Sequence, residues 1–517
     1  MRRFALLTVV MLAGCTVGPH YTAPKLAPLP VYGEAHPELG TADVGHWWTT
    51  LNDPVLTGLI ERGLAQNLDL AAAASRVRAA RYTVRETRAG LFPTVDATSE
   101  AQRIKISKNG GFGALAGSFG GGGAGGGGAG GGMSALGPPG NVINTYSIGF
   151  DASWQIDLFG GVRRQLQADR ARAEAEVWNR ADSAVSVSAE IADDYYQLRT
   201  LQRRAALARA ELARERQTLS ILQAQARNGL VPSSDASRQL VQISTAEASL
   251  GPIEADGRDL IHALGILVGG TPDTLLTAFD TSGRNIGAAP PLPPQVPAGV
   301  PSDLLRRRPD IRAAERQLAA ATSDIGVAVA DLYPRFTITT PFQLLSTGVS
   351  DLFQGNSIQA TVGGSVNFPL LDFGRRRAVI AQRRESEEQA YVTYKQTVLT
   401  GLRETEDALS RLRIERARRD QLAQGVRDAQ TVVDAVSAQF RFGTTDLTTV
   451  LTSQQQVLQS QDNLTQSEGT IRRQTVALYK ALGGGWQALP PIGAPIARTG
   501  LAQAQAQLQP TNARSTR

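Results

Sequence analysis

The sequence predicts a mainly α-helical chain that carries part of a membrane β-barrel and contains its own architecture twice. Three observations carry this. "NLDLAAAASRVRAARYTVRETRAGLFP" and "RPDIRAAERQLAAATSDIGVAVADLYP" end 241 positions apart, at Pro93 and Pro334. Two long proline-free segments, Val162 to Asn228 and Arg375 to Phe442, place apolar residues every seven positions. "YSIGFDASWQIDLFG", from Tyr146 to Gly160, alternates apolar and polar residues, the period of a strand with two unlike faces.

In the repeated segments Leu70, Val77, Val84 and Leu91 match Ile311, Leu318, Ile325 and Leu332, a helical pattern in both copies. Further on the offset falls to 214, linking Gly160 to Gly374 and Gly229 to Gly443. Most of the difference is the insert "GGFGALAGSFGGGGAGGGGAGGG" at 110–132. With almost no side chain to bury, it is expected to be a flexible loop, and no G-x-x-x-x-G-K-[ST] marks it as a phosphate cradle. The first repeat spans 67–270, a proline-rich linker 271–301, the second repeat 302–486, and a flexible tail 487–517, with 15–66 leading in.

Strands are expected at about 94–106 and 142–158, and again at about 335–345 and 357–370. In the second copy Ile358, Ala360, Val362, Val366, Phe368 and Leu370 repeat the alternation, with Trp154 falling on Phe368. Four strands cannot close a membrane barrel, because two edges would leave backbone groups unpaired in hydrocarbon. Other copies of the chain must supply the missing strands. Tyr146, Ile148, Phe150, Trp154, Ile156, Val362 and Phe368 are then expected to face outer-membrane lipid, with the polar alternates facing a lumen.

The long helices, 161–228 and 375–442, would each extend about 100 Å at about 1.5 Å per residue. Val177, Ala184, Ile191, Leu198, Ala205, Leu212 and Leu219 form the stripe of the first. Tyr391, Val398, Leu412, Val426 and Val433 form that of the second, with Thr405 and Arg419 interrupting it. Each helix turns back at "RNGLVPSSD" or "RFGTTDLTT", where glycine ends one helix and Ser or Thr begins the next.

Composition narrows the function. The 517 residues hold 53 Lys and Arg against 47 Asp and Glu, a formal charge of +6, but the charges are interspersed, which argues against a nucleic-acid partner. His20, His36, His46 and His262 are scattered without metal spacing, and the one cysteine cannot form an internal disulfide. Asp193 and Asp194 read as ion-pairing residues of a charged helix. No catalytic residue, metal or cofactor is expected, so the chain does not read as an enzyme. Residues 1–14 of "MRRFALLTVVMLAGC" read as a signal peptide too short to span a membrane. LAGC resembles a bacterial lipobox, with Cys15 acylated, and Thr16 in place of Asp resembles lipoproteins sorted to the outer membrane.

Together with that lipobox, "HWWTTLNDPVLTGLIERGLAQNLDL", "LFPTVDA", "WQIDLFGGVRR", "SDLLRRRPDIRAAERQLAAA", "FPLLDFGRRR" and "YKALGGGW" resemble an outer-membrane factor of the TolC and OprM type, in the lipoprotein subgroup attached to resistance-nodulation-division drug efflux. The resemblance implies a homotrimer with a twelve-strand barrel continuing into a helical tunnel across the periplasm, girdled by a strap of shorter elements. It implies a periplasmic adaptor (membrane fusion) protein and a resistance-nodulation-division inner-membrane transporter as partners of a passive exit duct for small amphiphilic compounds. It also implies a gate at the second helix turn, often with a ring of acids; Thr449 and Thr452 stand at the ring's positions here, leaving Asp446, Asp235 and the neighbouring Arg441 as the charged candidates. Two other readings remain open at this point, the duct of a one-step protein secretion system and a non-conducting coiled-coil lipoprotein.

Overall fold

The structure, a computed structural model, describes residues 16–24, 44–105, 142–279, 290–294, 296 and 307–492. The expected signal peptide at 1–14, Cys15, the glycine-rich insert, most of the expected linker and the segment beyond 492 lie outside the described residues. The helices are α1 (Pro54–Gln66), α2 (Leu68–Ala89), α3 (Gly161–Arg227), α4 (Ser233–Leu267), α5 (Pro309–Ala330), α6 (Arg375–Arg441) and α7 (Leu447–Ala481). The strands are β1 (Thr94–Lys105), β2 (Val142–Ile156), β3 (Arg335–Ser346), β4 (Ile358–Ala360) and β5 (Gly363–Asn367). The chain divides into two compact units.

One unit, Met1–Tyr21, Tyr82–Arg170 and Ala319–Glu387, holds the sheet. β1, β2 and β3 pair in that order, and both β4 and β5 pair with β3, all antiparallel. The single fourth strand expected at 357–370 is interrupted at Thr361 and Val362 and ends at Asn367. Register is unchanged across the interruption, since Ala360 lies opposite Phe342 and Gly363 opposite Thr339. Pro341 accounts for the gap. It has no N–H to donate, so the ladder keeps only the bond from Thr361 N to Pro341 O, 3.0 Å.

Each long helix leaves the sheet through the same device. Gly160 and Gly374 adopt φ +78° and +86°, where side chains are disfavoured. Asp157 accepts from Val162 N (3.2 Å) and Arg163 N (3.0 Å) and pairs with the Arg163 side chain. Asp372 does the same for Gly374 N (3.0 Å), Arg376 N (3.2 Å) and the Arg376 side chain. A carboxylate at a helix start satisfies orphan N–H groups and complements the helix dipole. The bonds from Arg376 and Gly374 hold the Asp372 carboxyl below its ordinary value. Arg164, buried beside the first junction, donates to Val17 O (2.9 Å) and Gly18 O (3.1 Å) and so ties down the start of the described chain.

The other unit, Thr22–Arg81, Ala171–Leu318 and Glu388–Arg517, holds the main core. Ala184, Ile191, Leu198 and Ala205 of α3 are fully buried, as their seven-residue spacing requires. Val177, at the head of that stripe, is exposed, and burial shifts from Leu219 to Leu222 at its far end. Thr405 of α6, expected to interrupt the second stripe, is fully buried, because its hydroxyl donates to Gly401 O (3.0 Å) within its own helix and leaves its methyl group for packing. Arg419 stays at the surface of the stripe, paired with Asp420 and Glu468.

Three of the quoted motifs meet in this core. Trp47 stacks on Tyr479 at 5.2 Å, Gly485 N donates to Val44 O (3.0 Å), and Trp486 Nε1 donates to Arg307 O (3.0 Å). Asp53 caps α1 through Val55 N and Leu56 N and accepts from the Tyr195 hydroxyl (2.8 Å). Arg308 is buried and donates to both Asp310 oxygens (3.1 and 2.7 Å), to Glu404 (2.8 Å) and to Ala481 O (2.9 Å). Burial alone would lower its pKa, but these carboxylates outweigh burial and raise it.

Removing one member of a buried ion pair leaves the others desolvated and unpaired, so Arg308→Ala should cost roughly 3–5 kcal/mol. Arg473, paired with Asp193 at 2.7 and 2.9 Å but 43% exposed, should lose no more than about 1 kcal/mol on the same change. Thermal midpoints of the detergent-solubilised variants check the contrast. Asp194 is pushed up to about 6 by burial and by the charges of Glu190 and Asp193. The native chain therefore holds this proton more tightly than the unfolded chain, and stability should fall as pH rises from about 4 towards 6. Asp194→Asn should flatten that part of a midpoint-against-pH profile and raise the midpoint at neutral pH.

Candidate functional site

The candidate surfaces are the two faces of the sheet, its two outer edges and the helix turns. Residues directly opposite in an antiparallel sheet share a face. Ala97 lies opposite Phe150, Phe150 opposite Phe342, and Phe342 opposite Ala360. The same register puts Val95, Ile148, Trp154, Ile156, Phe336, Ile338, Leu344, Ile358 and Val366 on this face. Asp96, Thr98, Glu100, Ser147, Asp151, Gln155, Thr337, Thr339, Gln343, Ser365 and Asn367 occupy the other. Ser99, Arg103, Lys105 and Thr340 also lie on the first face and Leu345 on the second, so the separation of apolar from polar is clearest along β2.

Of the apolar residues singled out by the sequence, Ile148, Phe150, Val362 and Phe368 are exposed in the single chain, Phe150 at 56% and Val362 at 78%. Tyr146, Trp154 and Ile156 are half-buried. Val362 stands in the gap between β4 and β5, and Phe368 just beyond the last strand residue. Trp154 Nε1 donates to Leu91 O (3.1 Å), which satisfies the indole's polar group at the helix-side end of the strand. A groove of about 430 Å³ lies on this face, lined by Ala97, Ile148, Phe150, Phe342, Leu344 and Phe353.

The polar face is acidic in a way the sequence pattern did not show. Asp96 lies directly opposite Asp151, which also accepts from the Thr98 hydroxyl (2.9 Å), and Glu100 lies two residues along the same face. β1 alternates weakly, so only its register against β2 reveals which of its residues share a side with Asp151. Counting by twos from Pro93 would have been the available signal.

At the turns, Gly229 and Gly443 adopt φ +70° and +72°. Asp235 sits in the first turn of α4 and pairs with Arg238 at 3.6 Å. Asp446 caps α7, accepting from Thr449 N (2.8 Å) and the Thr449 hydroxyl (2.6 Å). Those two bonds hold the Asp446 carboxyl below its ordinary value. Thr452 donates to Thr448 O (2.8 Å), and Arg441 to Ser437 O (3.4 Å). Within one chain Arg441 and Asp446 thus bond to other groups rather than to each other. Leu230 and Phe442, each beside a turn glycine, are strongly exposed. Among the described residues no group of His, Cys, Asp and Glu is arranged to hold a metal ion, and no helix is long and apolar enough to cross a membrane.

A sequence profile of the family described as "Outer membrane efflux protein" matches residues 59–256 and 300–484. The chain is 27% identical over 449 residues to OpmQ of Pseudomonas aeruginosa, described as a pyoverdine export outer membrane protein, covering 86% of this chain and 88% of that one. It is 28% identical over 520 residues to nodulation protein T of Rhizobium leguminosarum bv. viciae, covering 98% of each. Among solved structures, the outer-membrane channel OprN superposes with a TM-score of 0.79 at 29% identity, over 92% of this chain and 100% of that one. The chain belongs to the outer membrane efflux protein family, the channels of the TolC and OprM type.

Proposed function

We propose that three copies of this chain form the outer-membrane duct of a tripartite efflux pump, in which a periplasmic adaptor and a resistance-nodulation-division transporter deliver small amphiphilic compounds to a passive tunnel. One observation carries it. Among the described residues, a sheet with one largely apolar and one polar face pairs on one side only at each outer strand, β1 and β4/β5. In lipid those edges need partners, and three such sheets make a twelve-strand barrel with lipid outside and a polar lumen. Relatives described as exporting pyoverdine, toluene or antibiotics support a small-molecule cargo.

Acylated Cys15 anchors the mature chain in this reading. The next residue, Thr16, packs so closely on Gly160 that a side chain there would come within 2.7 Å of it. The lipid would thus enter the membrane beside the strand–helix junction, adding to the insertion that the barrel supplies. The adaptor engages the helix turns, where Leu230 and Phe442 are exposed, and the second turn narrows the resting tunnel.

Arginine at Phe150 should cost roughly 2–4 kcal/mol if this residue meets hydrocarbon. A strain lacking the gene should regain export of small amphiphilic compounds with the wild-type chain and not with Phe150→Arg, whereas Asp151→Arg should assemble normally and change only conductance. Equal loss of heat-modifiable trimer in the two variants would contradict the facing. For the gate, Asp446→Asn keeps the cap but removes the charge. It should reduce cation preference in planar-bilayer recordings, and Arg441→Ala should raise open probability; recordings unchanged in both would place the gate elsewhere.

A further inference from the structure

The two internal copies are related closely enough to predict a contact that one chain cannot make. An offset of 241 residues links β1 to β3, and one of 214 links β2 to the strand formed by β4 and β5. In the β1–β2 ladder Thr94 lies opposite Ser153 and Arg103 opposite Asn144. Applying the two offsets gives Arg335 opposite Asn367 and Leu344 opposite Ile358. Those are the pairs the structure contains, at the two ends of the ladder and across its interruption. The offsets read from sequence therefore transfer strand register without slipping by a residue.

The β2–β3 ladder joins the first copy to the second. Transferred by the same offsets, it becomes a ladder between β4/β5 of one chain and β1 of another. The inference rests on the closure by copies proposed above and goes beyond it to the register. We propose that Ser365 lies opposite Glu100 of the next copy, Val366 opposite Ser99 and Val362 opposite Arg103. These derive from the observed pairs Asp151 with Pro341, Ala152 with Thr340 and Ile148 with Leu344.

Face parity supports this independently. Even-numbered residues of β4/β5 meet odd-numbered residues of β1, so Gly364 with Ala101 and Phe368 with Ala97 continue the apolar face. Ser365 with Glu100 and Asn367 with Thr98 continue the polar one. A slip of one residue would turn the apolar side of one strand into the lumen. A slip of two would keep the faces but break the equivalence of the two kinds of junction, one within and one between chains.

Disulfide trapping in the full-length protein tests the register. Directly opposite Cβ atoms lie about 4.5–5.5 Å apart and diagonal ones about 7–8 Å, while a disulfide holds them at about 3.5–4.5 Å. Adjacent pairs alternate between the wide and close kinds, so two pairs on opposite faces are needed to include a close one. Ser365→Cys with Glu100→Cys, or Val366→Cys with Ser99→Cys, should link copies into dimers and trimers on oxidation. Ser365→Cys with Thr98→Cys or with Gln102→Cys should link several-fold less. Single-cysteine controls account for Cys15. Better linking by either displaced pair, or no linking by any pair in a protein that still runs as a trimer, would overturn the register and leave the duct standing. A protein that runs only as an unlinked monomer would overturn both.

Discussion

Hydrocarbon offers no hydrogen-bond partner to a backbone N–H or C=O, and most of what this chain does follows from that constraint. A soluble sheet of four strands can leave its edges to water. A sheet whose apolar face carries Phe150, Phe342 and Val362, and whose polar face carries Asp96, Glu100 and Asp151, has no such freedom once the first face meets lipid. Closure would then be forced, and a chain with too few strands would close through copies of itself. The duplication makes this economical, because the junction between the repeats can serve again as the junction between chains.

The helices must leave such a sheet without wasting the orphan N–H groups at their starts. Asp157 and Asp372 solve this by the same kind of contact, one sequence position apart in repeat terms, and each is followed by a glycine at positive φ that turns the chain. In the other unit, alanine-rich stripes let long helices pack closely, while the buried Arg308 joins α5, α6 and the end of α7 through Asp310, Glu404 and Ala481. A charge buried this way adds little net stability over an apolar equivalent, but its loss is costly.

Periodicity made the helices and most strands legible, because burial on one side writes a period of seven or two into the sequence whatever the partner is. It failed where a single residue changes the chemistry of the backbone or hides a polar group. Pro341 opens the fourth strand from the neighbouring strand, so nothing in 357–370 itself announces the gap. Thr405 reads as polar and packs as apolar because its hydroxyl is used within its own helix. Asp96 and Glu100 needed the register of β1 before their side was known. At the turns, the glycines and Asp446 were visible as features, but that Asp446 is engaged by Thr449 is a local geometry that residue type alone leaves open. The block around "RRRPDIR" was conspicuous by resemblance, whereas the convergence of Asp310, Glu404 and Ala481 on Arg308 includes contacts across 96 and 173 positions of sequence.

We propose a membrane-inserted, lipid-anchored subunit completed by its own copies. Native mass spectrometry of the mature protein, extracted from outer membranes in mild detergent, tests it most directly. The expected result is a species of three chains, each beginning at an acylated Cys15. A single chain stable without detergent, with residues 1–14 retained or Cys15 unmodified, would contradict it.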